Sequence, residues 1–444
     1  MAKISTIYSC TECGAQSPVE LGRCPRCDSW GSMQAVQQQP AILAKHASRN
    51  ALSTKVTILD EVLLDSLIRQ TSGINEVDRV LGGGWVAGSI VLLAGEPGIG
   101  KSTLLLQLAD NASRAKRDVL YIAGEESLSQ IRMRSNRLGL AANVHITRET
   151  YAPVLSDYLR LNRPDLIIVD SIQTLTAEDG GIPGSLTQVR DSTAILAATA
   201  KDIEATLVII GHITKQGSIA GPKQIEHMVD VTLALESAAG YRIMRAIKNR
   251  FGAAGEMGVF EMTANGMLPI DNPSEAFLAA RPKGAPGSVV VAALEGQRPI
   301  MLEVQALAAK SPYPSPKRVV QGLEQRRVDV VLAVLERRLE LSLSALDVYV
   351  NIAGGIKITD PGADLAVAIA VYSAVTNKVV AEDIAVFGEV GLAGELRAVA
   401  QSERRTEAAK RAGFKRIINA GDNYKAEQRH NTLARAIRAV WSVE

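Results

Sequence analysis

Short, near-continuous apolar runs recur through the middle of the chain, at residues 89–94 (SIVLLA), 119–123 (VLYIA), 166–170 (LIIVD) and 207–211 (LVIIG). Each has strand length and is rich in branched side chains. Stretches 103–115 and 188–204 between them are helical in character, so the pattern predicts a parallel sheet with helices on both faces. Two strands separated by a short turn are expected at 229–235 and 242–247. Pro and Gly accumulate over 272–287 (NPSEAFLAARPKGAPG), which marks a break. Beyond it a smaller α/β region is expected, with strands near 288–294, 300–307 and 347–352 and helices at 327–340 and 363–376. Residues 33–56 are Gln-, Ala- and Ser-rich without periodicity and read as a linker. The expected organisation is a cysteine-bearing knuckle at 1–32, the linker at 33–56, a first α/β domain at 57–272 and a second at 273–444.

Composition adds limits. The 444 residues suit two or three domains, and with 4% aromatics the cores must rest on Val, Ile, Leu and Ala. A net charge of +2 means that any nucleic-acid contact comes from local basic clusters. No apolar run approaches a membrane span, and Met1–Ser5 lacks the apolar stretch of a secretory signal, so a soluble cytoplasmic protein is expected. All four cysteines lie within the first 27 residues. Cys10 and Cys13, with Cys24 and Cys27, make two C-x-x-C pairs, the S4 set that Zn²⁺ prefers. A segment this small needs a metal to fold, and four thiolates leave no open position for catalysis.

Gly95-Glu96-Pro97-Gly98-Ile99-Gly100-Lys101-Ser102, followed by Thr103, fits the phosphate-binding loop without a mismatch, between a buried strand and a helix. Its backbone N–H groups converge on phosphate oxygens, Lys101 reaches the β- and γ-phosphates of ATP, and Ser102 offers its hydroxyl to Mg²⁺. Asp170 ends an apolar strand, where its carboxylate can hold Mg²⁺ through water. Glu125 and Glu126 follow the strand after the loop, and a carboxylate there can polarise the attacking water. Glu125 is favoured, with the choice between the two open.

These motifs, with the stretches YIAGEES, GHITKQG and above all Lys248-Asn249-Arg250-Phe251-Gly252 (KNRFG), resemble the RadA (Sms) family of bacterial DNA-repair proteins, a branch of the RecA class. The resemblance covers essentially the whole chain. It implies a hexameric ring that hydrolyses ATP between subunits, binds single-stranded and branched DNA, and drives branch migration alongside a RecA-type recombinase. Lys248 and Arg250, taken as alternating on one strand, would face the same side and reach the neighbour's γ-phosphate as an arginine finger does. They would also couple nucleotide state to DNA. Residues 178–190, with Arg190, and 215–223, with Lys215 and Lys223, would be the DNA-facing loops. Neither 178–185 nor 215–223 contains an aromatic residue for base stacking, so phosphate contacts are expected. His212 and the residues after it resemble the γ-phosphate switch of this class, and a capping or packing role stays equally open.

From about residue 287 the chain resembles the Lon peptidase domain, in Ile352-Ala353-Gly354-Gly355, residues 359–366 (TDPGADLA) and residues 407–413 (EAAKRAG). No serine occurs from Thr359 to Tyr372, where the Lon nucleophile would lie near Ala363. The dyad lysine is replaced within Ser402-Glu403-Arg404-Arg405, and arginine cannot act as a base. Lys310, Lys317, Arg318, Arg326 and Arg327 form a basic stretch suited either to a nucleic-acid backbone or to solvent. The expectation is therefore a RecA-type P-loop core with an N-terminal zinc knuckle and a peptidase-inactive, Lon-like α/β domain. Its activity would be that of a DNA-dependent ATPase motor, the alternative being a nucleotide-switched scaffold that loads recombination proteins.

Overall fold

The computed structural model describes residues 5–38, 69–140, 143–178, 180–212, 225–420 and 432–442. Its N-terminal ribbon is a three-stranded antiparallel sheet in which β1 (Ser5–Cys10) lies between β2 (Gln16–Ser17) and β3 (Met33–Gln38). Strand β3 pairs with β1 along its whole length, from Cys10↔Met33 to Ser5↔Gln38. The first residues of the expected linker, Met33–Gln38, are therefore strand, and the rest of it, 39–56, lies outside the described residues. These six residues pair with a strand 23 to 33 positions upstream, a non-local contact that composition does not report. Among the described residues the apolar core here is Cys10, Cys24 and Met33 with a few half-buried neighbours.

The chain divides into two compact units: one of residues 1–235, 247–252 and 263–267, the other of 236–246, 253–262 and 268–444. The division thus precedes the break expected at 272–287, which contains a short helix, Pro273–Leu278.

In the first unit, β4 (Ile90–Gly95), β5 (Val119–Ala123), β7 (Leu166–Asp170), β8 (Thr206–His212) and β9 (Val231–Ala238) run parallel. They belong to a nine-stranded sheet that contains the sequence β9-β4-β8-β7-β5-β6, with β6 (His145–Thr147) at the edge. Strands β4, β5 and β7 are buried along their whole lengths, which is why they read as unbroken apolar runs. Because the strands are parallel, the residues that follow β4, β5, β7 and β8 all leave at one edge of the sheet. Register places Gly95 beside His212 and Ala123 beside Asp170. Ligands of open α/β sheets bind at this carboxyl edge.

The second unit holds a six-stranded sheet built on β13 (Ser288–Glu295), β14 (Arg298–Lys310) and β16 (Leu346–Ile352), close to the expected positions. An edge strand β15 (Arg318–Gln321) lies inside the stretch read only as basic. Helix Asp364–Thr376 is buried from Asp364 through Val371 and again at Ser373, and fills the middle of that core.

Candidate nucleotide site and metal centre

The loop after β4 closes with Gly100 at φ 113°, a conformation that suits glycine, and helix α2 (Lys101–Arg114) starts on the next residue. Lys101 is buried, and its ammonium donates to the carbonyls of Gly95 at 2.7 Å and Glu96 at 2.9 Å. Burial lowers its pKa, and the charges of Asp170 and Glu125 oppose that shift. Across the sheet edge the Asp170 carboxyl, 7% exposed, accepts hydrogen bonds from the Tyr121 hydroxyl at 2.6 Å and from Ser102. Burial raises its pKa while these two donors pull it down.

The two glutamates have separate partners. Glu125 accepts from the Ser171 hydroxyl, and its charge is felt at both Lys101 and Asp170. Glu126 is paired with Arg134 on the helix Leu128–Arg137. The turn that carries both is held tightly, because a Cβ on Gly124 would lie 1.8 Å from the Thr174 hydroxyl.

In the ribbon, the four cysteine sulfurs lie within 4.8 Å of one another, with Cys10–Cys27 at 3.6 Å and Cys13–Cys24 at 3.5 Å. No pair is a disulfide. A tetrahedral ion with metal–sulfur bonds of about 2.3 Å sets sulfurs about 3.8 Å apart, so the donor set fits a bound metal ion.

The KNRFG segment differs from its expected form. Strand β10 (Tyr241–Asn249) ends before Arg250, so Lys248 and Arg250 are not two steps along one strand. Lys248 donates to the carbonyls of Glu226 and Val229, both at 2.7 Å. Arg250 pairs with Asp230 at 3.0 Å and its backbone N–H also meets the Asp230 carbonyl, yet its side chain is 56% exposed. Asn249 holds the Leu81 carbonyl at 3.1 Å, and Arg69 donates to the Phe251 carbonyl. The sequence suggested reaching cations; the structure shows a corner tied on several sides.

Three family models match: an AAA domain over residues 60–218, a rubredoxin metal binding domain over 8–35 and the Lon protease (S16) C-terminal proteolytic domain over 332–437. The chain is 43% identical to the DNA repair protein RadA of Halalkalibacterium halodurans over 427 residues, 94% of this chain and 93% of the relative. It is 41% identical to the DNA repair proteins RadA of Listeria monocytogenes and Bacillus subtilis, again over 94% of this chain and 92% and 93% of theirs. The chain belongs to the RadA family. The four-cysteine ribbon is thereby a metal site, and the P-loop domain a nucleotide-binding ATPase domain.

Other residues expected to work in this RadA-family chain fall differently. Arg190 is half exposed and paired with its neighbour Asp191 at 2.8 Å. Gln188, buried, accepts from Ala177 N–H at 2.7 Å and so pins the start of the first expected DNA loop. Lys215, Lys223 and the side chain of His212 lie outside the described residues. In the basic stretch, Arg327 is paired with Asp364 at 2.6 Å and Arg318 donates to the Leu343 carbonyl at 2.8 Å, so two of the five cations serve the fold.

Where the Lon-like dyad is expected, near Ala363 and within 402–405, Ala363 is 1% exposed. Arg405, also 1% exposed, is ion-paired with Asp360 and donates to the carbonyls of Ala292 at 2.8 Å and Ala400 at 2.9 Å. Its guanidinium packs so close to Gly362 that a Cβ there would sit 2.7 Å from Nη1. Sequence supplied both residue types but not this pairing, which joins positions forty-five apart.

Proposed function

We propose that this protein hydrolyses ATP to move along single-stranded and branched DNA, extending recombination intermediates by branch migration during DNA repair. The convergence of Lys101, Ser102, Asp170 and Glu125 at one sheet edge carries the ATPase part. The name DNA repair protein RadA, borne by relatives along nearly the whole chain, supports the DNA part. Residues 95–103 cradle the phosphates, with Lys101 on the β- and γ-phosphates. Mg²⁺ supplies neutralisation of phosphate charge, and the oxygen donors of Ser102 and Asp170 suit such a hard cation. Glu125, held beside the site by Ser171, orients the attacking water and takes its proton. Glu126, engaged with Arg134, braces the turn.

Lys248 and Arg250 act on the nucleotide of the next subunit in a homo-oligomeric, hexameric ring. Arg190, Lys215 and Lys223 contact DNA phosphates along with them. The metal of the ribbon is Zn²⁺, and a RecA-type recombinase is the protein partner. The C-terminal domain is a platform, not a peptidase: Ala363 has no nucleophile, and Arg405 sits as a fixed cation where a neutral lysine would be needed. Among the described residues no helix is long and apolar enough to cross a membrane, and the cytoplasm is the proposed location.

A synthetic three-strand junction tests the motor. ATP should drive the wild type to extend the heteroduplex, and Lys101→Ala should not. A wild type that hydrolyses ATP and binds the junction without extending it would leave the scaffold-and-loader reading in its place.

A further inference from the structure

Strand β5 contains one polar side-chain atom. Val119, Leu120, Tyr121, Ile122 and Ala123 are all buried, at 3% exposure or less, and only Tyr121 carries a hydroxyl. Phenylalanine would fill the same space, and a buried hydroxyl is costly unless it is bonded. Its hydrogen bond goes to the Asp170 carboxylate at 2.6 Å.

Register explains the reach. Tyr121 pairs with Ile168 and Ala123 with Asp170, so Tyr121 and Asp170 are diagonal neighbours on one face of adjacent parallel strands. The same strand β5 leads directly into Gly124, Glu125 and Glu126. The Asp170 carboxyl thus has a fixed donor behind it, from inside the sheet, while Ser102 meets it from the first turn of α2.

We infer that Tyr121 is a positioning residue for the cation of the nucleotide site, fixing the orientation of the Asp170 carboxylate from behind. This rests on the reading above that Ser102 and Asp170 hold that cation. The hydroxyl leaves Asp170 one orientation in which to face it, and spares the site the cost of ordering a loose carboxylate each time a metal–nucleotide complex binds. Outer-shell partners of this kind are worth about 10- to 100-fold in metal affinity.

The test uses Mn²⁺ as a paramagnetic probe, titrated into the full-length protein with ADP, for wild type, Tyr121→Phe and Asp170→Asn. Tyr121→Phe should melt with the wild type and bind fluorescent ADP normally in EDTA, because no atom facing the nucleotide has gone. Its Mn²⁺ affinity should fall by about 10-fold. In steady-state assays its apparent KM for Mg²⁺ should rise, while kcat at saturating Mg²⁺ returns to within about twofold of the wild type, as expected for a group that acts through another. Wild-type Mn²⁺ affinity in Tyr121→Phe overturns the inference. If Asp170→Asn itself binds Mn²⁺ like the wild type, the assignment of Asp170 fails, and the inference goes with it.

Discussion

Arg250→Ala should hydrolyse ATP at least about 10³-fold more slowly than the wild type while still binding nucleotide, the loss typical of a missing arginine finger. The P-loop side of one chain brings together Lys101, Ser102, Asp170 and Glu125, but in the proposed ring the cation that meets the charge building on the γ-phosphate comes from a neighbour. In the single chain Arg250 rests on Asp230 with its side chain 56% exposed. A modest rearrangement would free it. Its loss should not unfold the domain, because Asp230 also accepts from Ile90 N–H at 3.1 Å and lies 3.8 Å from Lys201. The decisive form of the measurement mixes Arg250→Ala with Lys101→Ala. Subunits that share an interface should regain part of the activity, since one supplies an intact loop and the other an intact finger. Normal DNA-stimulated hydrolysis by Arg250→Ala alone would remove the trans-acting role.

Stripping the metal from the ribbon should unfold residues 5–38 and leave the ATPase domain folded. Among the described residues the buried apolar side chains are Cys10, Cys24 and Met33, far too few to offset the chain entropy of ordering the segment. Structural zinc in comparable knuckles supplies roughly 10–16 kcal/mol of apparent binding free energy. Cys24→Ser removes a sulfur that is 0% exposed and should reproduce the effect of a chelator. Elemental analysis should find one zinc per chain, and ribbon amides should lose protection from hydrogen exchange on chelation. Iron in place of zinc, or a ribbon that keeps its protection without metal, would contradict this.

What could be read in advance followed from local chemistry. The phosphate loop was legible because its glycines, lysine and serine fall at fixed spacing. The strands β4, β5, β7 and β8 were legible because burial on both faces erases alternation. The metal site was legible because two C-x-x-C pairs leave little other use for four thiols. The misses are pairings between distant positions. Met33–Gln38 looks like linker until β1 lies beside it. Arg250 falls just beyond the end of β10, so alternation along a strand was the wrong rule for placing it. Arg327 and Arg318 read as surface charge until Asp364 and the Leu343 carbonyl are opposite them. Tyr121 did leave a signal, a lone hydroxyl in an otherwise apolar run, but only the register of β5 on β7 shows what it holds. Glu125 and Glu126 are adjacent in the sequence, and only coordinates give them separate partners, Ser171 and Arg134.

The most direct test of the central claim is the steady-state ATPase rate of the wild type with and without single-stranded DNA, with Lys101→Ala as the blank. An ATP-driven DNA motor should hydrolyse faster when DNA is added, and the lysine variant should stay at background in both conditions. A wild type whose rate is the same with and without DNA would contradict the motor and leave a nucleotide-binding scaffold.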